Sequence, residues 1–182
     1  MSSELITQVN QFYFREARLL DERCYQQWLT LLSDQIEYTV PARHVPQLDN
    51  SKRDTEAFLN RDQEFNNGLL SQGMEPPLRD EKHLHLMIRV MRSLKMNAWT
   101  ENPPARTRRF VSNIEIIEAN EKTVSAYSNT LLYYSRHEHN NHIYSYQRRD
   151  VLEKQQNNFC LLKREVLLDC VVIPAASAGL FF

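Results

Sequence analysis

A chain of 182 residues, 42% of them hydrophobic, is long enough to bury one sizeable core. Its 22 basic and 23 acidic side chains nearly cancel, which leaves no electrostatic basis for capturing nucleic acid or an anionic membrane surface. With only three glycines, Gly68, Gly73 and Gly179, neither a P-loop nor a dinucleotide-binding fingerprint can be drawn.

Leu5, Val9, Phe12, Tyr13, Ala17 and Leu20 recur at helical spacing and predict an amphipathic first helix. Asp21 reads as the N-cap of a second helix that turns Cys24, Tyr25, Trp28, Leu29 and Leu32 inward. Ile36, Tyr38 and Val40 alternate with polar neighbours as a short strand closed by Pro41. From His44 to about Arg79 periodicity is lost, apart from room for a short helix around residues 52–66. A connection of that length is expected to be surface-lying and ordered partly by a neighbouring subunit. Asp80 then caps a third helix, with Leu84, Met87, Ile88, Met91 and Leu94 on one face. Arg89, Arg92 and Lys95 lie towards its end, where the helix dipole favours cations.

After a loop over Trp99–Ala105, four alternating stretches follow: Arg106 to Ala119, Val124 to Arg136, Ile143 to Leu152 and Phe159 to Val172. Short polar turns join them, which predicts an antiparallel meander. Helices first and strands afterwards mean α+β in a single domain over residues 1–182. Long strands coil strongly, so the sheet is expected to wrap around the helices as a cone with one partly apolar mouth.

The chemical motifs are few. A Rieske centre needs Cys-x-His and Cys-x-x-His pairs, but Cys24, Cys160 and Cys170 have no histidine at those positions. Three scattered cysteines, no secretory start and no membrane-length apolar run predict a cytoplasmic protein with reduced thiols. His83 and His85 would stand about 200° apart on a helix and cannot chelate one ion. His137, His139 and His142, with Glu138, cluster at a predicted turn and form the one candidate iron-like set, against the plainer reading of a solvated turn. Asp21, Asp34, Glu115 and Asp150 are the acid–base candidates, each weighed against an ordinary surface charge or cap. On a strand, Arg106 and Arg108 point to one face and Arg109 to the other. That split makes a poor phosphate track and favours ion pairs across a subunit interface. The ending Ile173 to Phe182 is almost wholly apolar, so it either packs on the domain's own core or seals against another subunit.

The stretch Phe12 to Arg23 with Tyr25, Trp28 and Leu29 resembles the N-terminal helices of small (beta) subunits of bacterial aromatic-ring-hydroxylating dioxygenases. Ile36 to Tyr38, Pro41 and Arg43 resemble that family's first strand. The most specific likeness is Trp99 to Asn113, WTENPPARTRRFVSN, similar to the pattern W-x-E-x-P-P-S-R-T-R-x-x-x-S-N with Ala105 in place of serine. Leu167-Leu168-Asp169 and the final Leu-Phe-Phe are also similar, whereas residues 44–80 depart most. The block is nearest the benzene/toluene/biphenyl type.

The resemblance implies a cystatin-like or NTF2-like cone and a structural, non-catalytic role with no catalytic, cofactor or metal residues in this chain. It implies an α3β3 hexamer containing other beta subunits and a catalytic large subunit. That large subunit would hold a Rieske 2Fe-2S cluster and a mononuclear Fe(II). A reductase and ferredoxin would bring electrons from NAD(P)H, and the holoenzyme would convert an arene to a cis-dihydrodiol. Trp99, Arg106, Arg108, Arg109, Leu180, Phe181 and Phe182 are the expected interface residues. The competing readings are a self-sufficient cone-fold isomerase or dehydratase and a binding module for a small apolar ligand.

Overall fold

The computed structural model describes residues 2–42, 76–95, 103–136, 140–156, 158–170, 173 and 179–182. Helix α1 spans Ser3–Asp21, starting where the Ser2 hydroxyl accepts the Leu5 amide at 3.2 Å. Its inward stripe is Val9, Phe12, Tyr13, Ala17 and Leu20, as the periodicity predicts. The stripe also carries Glu16, fully buried. A left-handed Arg23 (φ 59°) turns the chain into the short helix α2, Tyr25–Leu29.

Two capping expectations are corrected. The N-cap of α2 is Cys24, while Asp21 is the last residue of α1 and turns its carboxylate onto the sheet. Asp80 lies in a strand, and the N-cap of the next helix is Lys82, whose amide is accepted by His85 Nδ1 at 3.0 Å.

Strand β1 is Leu32–Val40 and β2 is Arg79–Glu81, a pairing partner for β1 that begins where the stretch read as unpatterned ends. Helix α3 follows at His83–Ser93. The meander is β3 Arg106–Ala119, β4 Thr123–Arg136, β5 Asn140–Gln155 and β6 Asn158–Leu168. Together they form one curved six-stranded sheet of order β2-β1-β6-β5-β4-β3. Every pair is antiparallel except β1 with β6. The three hairpins from β3 to β6 leave β6 running in the same direction as β1, beside which it pairs. Register shifts in β3 between Ser112 and Glu115, with Asn113 left-handed at φ 50°, add bend to the outer strand.

The core lies between the helices and the concave face of the sheet, where Trp28, Ile36, Tyr38, Leu132, Tyr144, Tyr146 and Leu152 are almost wholly buried. The apolar face of α3 picked out by its spacing is not the face that meets the core. Leu86 and Val90 are its buried residues, whereas Leu84, Ile88, Met91 and Leu94 are exposed. The helix has two apolar stripes, and the narrower one faces the core. Residues 43–75, including the short helix expected around 52–66, fall outside the described residues.

Candidate functional site

Inside the cone, four buried charged side chains meet. Glu16 from α1 accepts from Arg164 Nη1 at 2.6 Å and Nη2 at 2.9 Å, from Arg148 Nη1 at 2.8 Å and from Trp28 Nε1 at 3.1 Å. Asp150 takes Arg164 in a fork, at 2.9 Å from Nε and 2.7 Å from Nη2. Two carboxylates and two guanidiniums balance, which is the condition for burying charge at tolerable cost. Burial alone would raise the Glu16 pKa, but the charges of Arg164 and Arg148 outweigh it and hold the group at about 2. The carboxylate is therefore a fixed anion at neutral pH, suited to clamping α1 to β5 and β6 and unsuited to carrying a proton.

Of the acid–base candidates, Asp150 belongs to this cluster, and Asp34 and Glu115 are exposed. Asp21 joins α1 to β3: its carboxylate accepts from the Arg109 amide at 2.8 Å, from Arg109 Nη1 at 2.5 Å and from Thr107 Oγ1 at 3.1 Å.

The ending of the chain fills the remaining hollow. Phe181 and Phe182 are each 2% exposed, and Leu180 is half-buried. The Phe181 ring lies 4.6 Å from Trp28 and 5.4 Å from Tyr25, with the Arg89 guanidinium 4.2 Å above it. Phe182 meets Tyr144 and Tyr146 edge-on at 5.8 and 5.4 Å. The side chains of Phe181 and Phe182, which the sequence offered either to this chain's core or to a subunit interface, pack into this chain's own core. Arg109 is likewise buried, and is engaged by Asp21 and the Phe181 carbonyl.

Arg106 and Arg108 do face outward, opposite to Arg109. Strand register sets Phe110 beside Leu131, and Tyr133 between Arg108 and Ile143. These four hydrophobic residues are 40–65% exposed and form an apolar patch on the convex face, with arginines at one end. Trp99 lies outside the described residues.

Among the described residues, no three His, Cys, Asp or Glu side chains come together in a way that could hold a metal ion. His137, Glu138 and His139 of the hairpin set fall outside the described residues, and His142 lies 6.1 Å from the rings of both Tyr134 and Tyr144. Cys160 is buried, and Cys24 and Cys170 are half-buried.

The sequence reading missed Glu16, Arg148, Arg164 and Arg89. A signal for three of them was present. Glu16 falls on the inward stripe of α1, four residues after Phe12, and Arg148 continues the inward alternation of Tyr144 and Tyr146. Arg164 precedes Val166 and Leu168 by the same period of two. Charges on a buried face mark an internal network. Arg89 carried no such mark, because its target is the tail.

The model for the family described as ring hydroxylating beta subunit matches residues 15–175. Among solved structures, naphthalene 1,2-dioxygenase with indole bound in its active site matches at TM-score 0.79 and 20% identity, over 100% of this chain and 88% of that one. The beta subunit of benzoate 1,2-dioxygenase from Burkholderia mallei matches at TM-score 0.64 and 17% identity, over 88% of each chain. ActVI-ORFA from Streptomyces coelicolor matches at TM-score 0.60 and 15% identity, over 95% of this chain and 100% of that one. At such identities these likenesses establish the shared cone fold.

Proposed function

The chain belongs to the ring hydroxylating beta subunit family, and from that membership we propose that it acts as a structural small subunit that assembles with a catalytic large subunit in the cytoplasm. The observation that carries this reading is the family match over residues 15–175. The assembly is an α3β3 hexamer in which the large subunit holds the Rieske cluster and the mononuclear iron. A ferredoxin and reductase deliver electrons from NAD(P)H. The holoenzyme adds O2 across an arene double bond to give a cis-dihydrodiol. The block from Trp99 to Asn113 favours an arene of the benzene, toluene or biphenyl type.

The convex patch of Phe110, Leu131, Tyr133 and Ile143 is the surface we assign to the large subunit. It is apolar enough to drive association, and the exposed Arg106 and Arg108 beside it suit acidic groups on the partner. The interior supports a structural role. Asp150, the inward-facing acid–base candidate, is gripped through both oxygens by Arg164. Nothing in that arrangement favours an isomerase or dehydratase.

Co-expression with the catalytic large subunit tests the proposal. The expected result is one particle of hexamer mass whose iron follows the large subunit and which oxidises an arene. Purification of this chain alone with stoichiometric iron and arene turnover would overturn it. Replacing Tyr133 and Ile143 by glutamate is expected to leave the fold of this chain intact and to dissociate the hexamer. An unchanged particle would remove the convex patch from the interface.

A further inference from the structure

Three successive carbonyls of the tail are each taken by an arginine from a different element. Leu180 O accepts from Arg89 Nη2 on α3 at 2.6 Å, Phe181 O from Arg109 Nη2 on β3 at 2.5 Å, and Phe182 O from Arg164 Nη1 on β6 at 3.4 Å. Tyr38 on β1 completes the grip, donating its hydroxyl to Phe182 O at 3.0 Å and accepting the Phe182 amide at 2.9 Å.

Each arginine is aimed by a carboxylate that owes nothing to the tail: Arg89 by Glu81, Arg109 by Asp21, and Arg164 by Glu16 and Asp150. In Arg89 and Arg109 one terminal nitrogen binds the carboxylate and the other is left for the tail carbonyl. The donors are therefore preorganised, and with no acceptor present they would stay buried and unmatched. The two rings enter separate aromatic boxes, one made by Trp28 and the Arg89 cation, the other by Tyr144 and Tyr146. Charged donors beside an aromatic box recognise a ring that carries a neighbouring carbonyl or carboxylate.

We propose that the hollow filled by Leu180–Phe182 is a ligand site for an aromatic group bearing an adjacent carbonyl or carboxylate, occupied here by the chain's own tail. The ligand can be an aromatic peptide end or a small aromatic acid, since both present the same chemistry.

The test uses the chain lacking residues 180–182, titrated separately with the peptide Ala-Gly-Leu-Phe-Phe and with 3-phenylpropanoate. A saturable rise in melting temperature is expected, roughly 5–10 °C at a hundredfold excess over Kd. It should be absent in the intact chain and lost for a peptide ending in Ala-Ala. A response to the peptide alone makes the site a peptide receptor, and a response to the acid makes it a small-molecule site. A cooperative melt unmoved by both probes overturns the proposal. Should the truncated chain fail to fold by itself, it is refolded in saturating amounts of each probe. Recovery of a cooperative melt with either probe supports the proposal, and failure with both overturns it. Binding is read on this chain by itself, so failure here is distinct from failure of assembly with a large subunit.

Discussion

Glu16 is the residue on which the interior turns, because it answers both Arg148 and Arg164. Glu16→Gln keeps the shape and removes the charge, leaving two buried guanidiniums with only Asp150 to balance them. A loss of about 3–5 kcal/mol is expected in denaturant unfolding. The same group sets a pH dependence. Its folded-state pKa is held near 2 against an ordinary value of 4.5, so its stabilising contribution is fully present above pH 4.5. That contribution is lost as the pH falls through about 2. The difference in stability between the native chain and Glu16→Gln is therefore expected to shrink across that window, and a constant difference would show that the charge is not what holds the cluster. Arg109→Leu strands the buried Asp21 carboxylate and frees the Phe181 carbonyl, and a loss of about 3 kcal/mol is expected by the same measurement.

At the scale of the element, α3 separates packing from exposed apolar surface. Leu86→Ala opens a cavity under the helix and is expected to cost about 2–5 kcal/mol in thermal unfolding. Ile88→Ser, two residues on and more than half exposed, is expected to change stability by about 0.5 kcal/mol or less. A large loss at Ile88 would mean that the stripe from Leu84 to Leu94 is covered within the chain. The sequence pattern supports a helix over either stripe, since both repeat at helical spacing, and periodicity alone does not say which stripe meets the sheet. Strand limits were more legible. Arg106 to Ala119 is read from alternation with the same ends that the structure shows, because polar turns and a two-residue period bound it on both sides. The short β2 was not legible, since three charged residues become a strand only by pairing with β1.

For the whole molecule, the cone is closed by its own ending. Leu180–Phe182 bring together groups from α2, α3, β1, β3, β5 and β6, which no local signal connects. The sequence by itself determined the α+β order of helices followed by long strands, the lack of glycine-rich phosphate loops and the family likeness. Those properties depend on composition, periodicity and contiguous motifs, all of which are local. Only the tertiary structure decided that Arg109 is internal while Arg106 and Arg108 are exposed, that Asp21 joins a helix to the sheet, and that the aromatic tail turns inward. Each of these depends on which distant surface a side chain meets. For an apolar tail, burial against its own core and burial against a neighbour satisfy the same hydrophobic drive. The choice between them rests on the arginines waiting inside the cone.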